Sequence, residues 1–148
     1  MSLLLRHPVR IEWGDCDAAG IVFYPQFFAM FDAATHALFE RALGMKHKLM
    51  QTHFDMTGLP MVDTRAKFYV PSSFGDDIII ETRIERFGRS SFDIHHRLLR
   101  DADVLGAECW ETRVWMVHDK AKPGRIFGAP IPAEVITAFQ GVGCSARA

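Results

Sequence analysis

The sequence predicts an α+β domain, a curved antiparallel sheet wrapped around one long central helix. Two observations carry this. Residues 26–44, "QFFAMFDAATHALFERALG", have helical spacing with apolar residues around nearly the whole circumference, as in a helix covered on all sides. From residue 60 to 119 the chain turns to strand-like alternation broken by hairpin-length turns, the signature of an antiparallel sheet. A length of 148 residues suits a single domain, residues 1–148, with its core running from about 6 to 140.

Taken in order, "HPVRIEW" (7–13) alternates, with Val9, Ile11 and Trp13 on one face and Arg10 and Glu12 on the other, and reads as a strand. Pro25 suits the first position of the central helix, where its missing N–H costs nothing, and Gly44 suits its end. Residues 46–60 read as a short helix and loop. Strands are expected over 60–70, 76–87, 91–100 and 107–119, paired consecutively as a meander. "PAEVITAF" (132–139) reads as a short terminal helix, and "GVGCSARA" (141–148) as a frayed end. One helix covers only one face of such a sheet. Leftover apolar positions, Trp110 or Trp115 among them, favour pairing with a second subunit.

Composition excludes several functions. Hydrophobic residues are 49% and charged residues 24% of the chain, with a formal net charge of −1, so no strong field recruits nucleic acid or an anionic membrane. No apolar run is long enough to span a bilayer, and "MSLLLRHPV" is too short in its apolar part for a signal peptide. Cys16, Cys109 and Cys144 are odd in number and irregularly spaced, which argues against a disulfide framework or a zinc site and for reduced thiols in the cytoplasm. His95 and His96 are adjacent on a strand, point to opposite faces and cannot share a metal. Asp76-Asp77 reads as turn chemistry, and Trp13, Phe23, Phe27 and Phe31 as core.

The chemistry concentrates in "GDCDAAGIVFYPQFF", residues 14–28. Asp15, Asp17 and Gly20 match three positions of a calcium loop, but Ala19 and Gln26 stand where oxygen ligands are required. Acids before a helix also serve as caps. Asp15 fits that role; Asp17, eight residues before Pro25, is too far away. Ala18, Ala19 and Gly20 let the backbone bend sharply, so a carboxylate and a helix N-terminus can face one point. N–H donors at a helix start suit a developing oxyanion, and a carboxylate can attack a carbonyl or activate water. Cys16 lies between two carboxylates that disfavour its thiolate.

These residues also carry a resemblance. "RIEWGDCDAAGIVFYPQFFAMFDAA" (10–34) resembles the N-terminal signature of the 4-hydroxybenzoyl-CoA thioesterase family, and "PSSFGDDIIIETRIERFGRSSF" (71–92) is similar to its middle hairpin. The resemblance implies the hotdog fold and hydrolysis of an aryl (hydroxybenzoyl-like) or short-chain acyl-CoA to acid and free CoA. It implies no metal and no cofactor, coenzyme A being part of the substrate. By the same resemblance Asp17 is the catalytic carboxylate, as nucleophile or general base. The Tyr24 backbone N–H polarises the thioester carbonyl, and Asp32 recognises the hydroxyl of a hydroxybenzoyl group. Phe23 lines the acyl pocket, and Arg89 and Ser90 lie where the middle hairpin contacts coenzyme A. Gly88 and Ser90 depart from the basic residues of the bacterial aryl enzyme. Family protomers pair sheet to sheet with the active site at the interface, so a dimer or a dimer of dimers (a homotetramer) is expected. Asp32 has a plainer reading too: a buried helix acid needs a partner, His36 or an arginine from the sheet. Two other functions remain open, a hydroxyacyl-thioester dehydratase using His36 and a non-catalytic acyl-CoA binding module.

Overall fold

The computed structural model describes residues 2–101 and 103–141. Strand β1 (Leu4–Arg10) is followed by a 3-10 turn (Trp13–Asp15), helix α1 (Tyr24–Leu43) and helix α2 (His47–Phe54). Strands β2 (Met61–Phe68), β3 (Asp77–Phe87), β4 (Ser91–Arg100) and β5 (Val104–Val114) come next. A small hairpin, β6 (Met116–His118) and β7 (Ile126–Gly128), and helix α3 (Ala133–Gly141) complete the chain. The five long strands form one antiparallel sheet in the order β1-β3-β4-β5-β2, with α1 laid across one face. This is the expected α+β, hotdog arrangement of a sheet around a central helix.

Helix α1 is buried along one stripe rather than all round. Phe27, Met30, Phe31, Ala34, Thr35, Leu38 and Phe39, three to four apart, face the sheet, while Ala29, Asp32 and Ala33 on the opposite side are exposed. A five-stranded sheet curves over one side of a helix and leaves the other open. The stripe joins two core clusters. Phe27, Met30, Phe31 and Ala34 pack with Ile78, Ile80 and Leu98; Leu38 and Phe39 pack with Met50, Phe92, Trp115 and Phe139. Gly44 ends the helix in the left-handed conformation at φ 65°, where glycine carries no side-chain clash.

The strands are not a four-strand meander. Only β3, β4 and β5 follow one another; β2 pairs with β5 at the far edge, Ala66 opposite Cys109. The segment 69–76, which reads as a tight turn, instead runs along the end of the sheet. Tyr69 N–H donates to the Gly106 carbonyl, Arg100 Nη1 donates to the Pro71 carbonyl, and Arg100 Nη2 pairs with Asp76. Strand β1 begins at Leu4 and stops at Arg10, earlier than the 7–13 expected. Being an edge strand, it tolerates Pro8, which has no N–H to give. Glu12 N–H donates to Asp15 Oδ2 at 2.8 Å, and the chain turns there. Trp13 is therefore 72% exposed, edge-on to Phe74, rather than core. The last long strand breaks at Trp115, which is buried against Phe54 inside the chain and is not offered to a partner. Trp110 lies on the outer face, between His95 and the Arg65 guanidinium. The frayed end expected over 141–148 lies, apart from Gly141, outside the described residues, and Cys144 with it.

Candidate active site

Residues 14–24 form a compact turn pinned to the end of the sheet where β3 begins. Cys16 bridges to Val22, Ile21 bridges to Ser73, and Val22 N–H donates to the Ser72 carbonyl at 2.9 Å. Within the turn Asp17 N–H donates to the Ile21 carbonyl and Gly20 N–H to the Asp17 carbonyl, with Gly20 at φ 78°. Asp17 Oδ1 accepts the Ala19 N–H at 2.8 Å. That bond fixes the exposed carboxylate and leaves Oδ2 free of hydrogen bonds among the described residues. Asp15 takes the other role, closing the 3-10 turn through its side chain and accepting Phe23 N–H on its carbonyl.

Phe23, extended at φ −67° and ψ 124°, precedes the first turn of α1, and Pro25 sits inside it. The Tyr24 N–H takes no carbonyl partner among the described residues, as expected of a first-turn donor. A cavity of about 250 Å³ opens beside it, lined by Val22, Tyr24, Phe27, Phe68, Tyr69 and Ser72. Phe23 lies outside this lining; it is exposed and packs on the Tyr24 ring at 5.4 Å. The loop segment that carries it lies beyond the helix–sheet sandwich, so it is not core either. Phe27 and Phe31 are buried as expected.

Asp32 lies two turns along α1, about 12 Å down the axis from Tyr24 at 1.5 Å per residue. Its carboxylate is 54% exposed, not sealed in an apolar helix, because this face of α1 is open. It pairs with Arg113 Nη1 at 2.8 Å, while His36 Nδ1 stands 3.7 Å away. The arginine from the sheet is thus its main partner. A second cavity, about 440 Å³, is lined here by Phe28, Asp32, His36, Leu59, Met61 and Arg113.

Behind Asp32 runs a polar network that sequence reasoning missed. Arg113 Nε donates to Glu111 Oε2 at 2.9 Å, Glu111 Oε2 lies 3.5 Å from His96 Nε2, and His96 Nδ1 lies 2.8 Å from Thr82 Oγ1. All four residues are buried. The signal was present: Glu111 and Arg113 share the inward face of β5 with Cys109, so charges stand where alternation calls for apolar groups. Ser72, buried beside Tyr24 with its Oγ unpartnered among the described residues, was also missed.

Burial pushes the His96 pKa below its usual 6.5. For Glu111 burial works upward, but His96 and Arg113 outweigh it and hold the carboxyl below its usual 4.5. Both groups therefore bind protons more readily in the unfolded chain. Their stabilisation is full above about pH 6.5 and is lost as pH falls, first through the His96 range and then through that of Glu111. Urea midpoints measured from about pH 8 to about pH 4 are expected to decline once below about 6.5. A midpoint that stays level to about pH 5 contradicts the assignment of His96.

Arg89 and Ser90 form the β3–β4 turn, at the opposite end of the sheet from Asp17. Their carbonyls accept the Ile131 and Trp115 N–H groups, and the Arg89 side chain is exposed. Strand β3 has 11 residues, and at about 3.3 Å each its ends are roughly 35 Å apart. One chain holds Asp17 and Tyr24 on the same turn, residues 14–24, and places Arg89 and Ser90 at the far end of the sheet. Cys109 is no nucleophile: burial pushes its thiol up to about 12. His95, on the outer face, binds Glu108 at 2.7 Å, while His96 points inward. Among the described residues no three His, Cys, Asp or Glu side chains converge as a metal site.

The chain is similar in sequence and fold to known proteins. Residues 11–139 match the family model of the thioesterase-like superfamily. The chain is 33% identical over 131 residues to the 4-hydroxybenzoyl-CoA thioesterase of Pseudomonas sp. strain CBS-3, covering 86% of this chain and 91% of that one. It is 31% identical over 110 residues to the 1,4-dihydroxy-2-naphthoyl-CoA hydrolase of Synechococcus sp. strain WH7803, covering 70% of this chain and 71% of that one. The solved structure of the Pseudomonas enzyme superposes with a TM-score of 0.84 at 30% identity, over 91% of this chain and 98% of that one. That of a gentisyl-coenzyme A thioesterase gives 0.74 at 32% identity, over 92% and 99%.

Proposed function

Since the chain belongs to the thioesterase-like superfamily, we propose that it hydrolyses an aryl-coenzyme A thioester to the aryl carboxylic acid and free coenzyme A. The observation that carries this reading is one segment, residues 14–24, that supplies a fixed carboxylate, Asp17, and, beside a cavity that Tyr24 lines, a helix-start N–H with no carbonyl partner among the described residues. The thioester carbonyl oxygen accepts the Tyr24 N–H, and the α1 dipole favours the negative charge that grows there. Asp17 activates water or attacks the carbonyl carbon itself. The C–S bond breaks, the thiolate leaves as coenzyme A, and water supplies the hydroxyl of the acid. Asp32, in the second cavity, accepts a hydroxyl at the far end of the acyl group, and Phe23 flanks its entry.

Arg89 and Ser90 reach the nucleotide of coenzyme A only from another copy of the chain, given their distance from Asp17. Strand β2 leaves one edge of the sheet unpaired and exposes Met61, Val62 and Phe68, as suits a homo-oligomer, a dimer or a dimer of dimers. No helix among the described residues is long and apolar enough to cross a membrane; with Cys16 and Cys109 both free, the cytoplasm is the proposed compartment. Thiol release from benzoyl-, hydroxybenzoyl-, dihydroxynaphthoyl- and short aliphatic-CoA tests the proposal. Fastest release is expected from a hydroxylated aryl thioester. Tight binding of these thioesters with no hydrolysis over hours would instead make the chain a binding module.

A further inference from the structure

Burying an ion pair is seldom a route to stability, since apolar residues of the same volume often do as well or better. The chain nevertheless keeps Glu111 and Arg113 beneath α1, at 4% and 3% exposure. Arg113 is gripped from two sides: Nε donates to Glu111 Oε2, and Nη1 donates to the Leu59 carbonyl at 2.9 Å. Glu111 is backed by His96, which is itself held by Thr82 and stacked on Phe31 at 5.0 Å between ring centres. This relay is fixed by the core and ends at an exposed carboxylate, Asp32, on the wall of the 440 Å³ cavity. Asp32 Oδ1 meets the same Nη1 as an ion pair at 2.8 Å, so the clamped, planar guanidinium fixes where the carboxylate finds its counter-charge.

The geometry points to Arg113, held by Glu111, as a positioning residue. It aims the Asp32 carboxylate into the cavity as a fixed acceptor, so the site selects acyl groups whose far end carries a hydrogen-bond donor and rejects those whose far end carries an anion. This rests on the thioesterase reading above. The charges agree: Asp32 and Glu111 against Arg113 leave one net negative charge, and His96, its pKa lowered by burial, adds none at neutral pH. His36, beside Asp32, has its Nδ1 engaged by the Asp32 carbonyl at 2.8 Å.

The test compares kcat/KM for 4-hydroxybenzoyl-, benzoyl- and 4-carboxybenzoyl-CoA. The unaltered protein is expected to rank them in that order, with the first two separated by on the order of 10- to 100-fold. Arg113→Lys keeps the charge but loses the fork, and is expected to lower the hydroxybenzoyl-to-benzoyl ratio by about tenfold. Glu111→Gln, nearly isosteric, is read in the same way should the lysine variant fail to fold. Adding Arg113→Lys to Asp32→Asn is expected to change the ratio no further, because both act through one carboxylate. An unchanged ratio in a folded Arg113→Lys or Glu111→Gln protein overturns the inference, as does a preference of the unaltered protein for the carboxybenzoyl thioester. In those cases hydrolysis itself persists. A protein that hydrolyses no aryl-CoA overturns the thioesterase reading, and this inference falls with it.

Discussion

Asp17→Asn is expected to lower turnover by about 10²- to 10⁴-fold while leaving the fold intact. Structurally, Asp17 holds its turn through its backbone and through one side-chain oxygen that accepts the Ala19 N–H. An asparagine carbonyl oxygen makes that same bond, and the side chain is exposed, so no buried group loses a partner. Chemically, an amide neither removes a proton from water nor attacks a thioester, and both routes lose their essential group. Circular dichroism and the thermal midpoint should match the parent; near-parental turnover would falsify the role. Single turnover in isotopically labelled water separates the two routes. Label found in Asp17 after one turnover marks a covalent acyl-enzyme opened at the aspartyl carbon; label confined to the product is common to direct attack by water and to an acyl-enzyme opened at the acyl carbon, which trapping of the acyl-enzyme separates.

The second large effect is on stability. Arg113→Met is expected to cost about 3–5 kcal/mol, because it strips Glu111 of its cation and leaves a buried carboxylate uncompensated. For a chain of this size that is a fall of roughly 10 °C in thermal midpoint. The paired change Glu111→Leu/Arg113→Met removes both charges and should recover most of the loss. If the double variant is as unstable as the single, the cost lies in packing around the arginine stem and not in the stranded charge.

What could be read from the sequence was local. The turn at Asp17 and the start of α1 are made by residues within a dozen positions of each other, so small residues, a proline and two acids were enough to place them. The boundaries of β3 and β4 followed from alternation, and the end of α1 from Gly44. Alternation gives a strand two faces but does not name its neighbours. The pairing of β2 with β5 therefore escaped, along with the long path of residues 69–76. Strands β6 and β7 have three residues each, too few to show a period. Asp32 and Arg113 meet only because α1 packs on the face of the sheet that carries Arg113. An acid on an apolar helix could be said to need a partner, but the partner's identity is a property of the packed fold. The same holds for Arg89 and Ser90, whose distance from Asp17 becomes visible only once the Asp17 turn is seen to pack at the start of β3.

Helix α1 begins at the Tyr24 amide and carries Asp32 two turns later, and it is locked to the sheet along its entire buried stripe. In the proposed function it is a ruler with its zero at the scissile bond. In that reading acyl length is gauged in helical turns, not by a flexible loop, so a homologous site could be rescaled without rebuilding any backbone. Moving the acid four residues further, Asp32→Ala with His36→Asp, shifts the mark by about 6 Å.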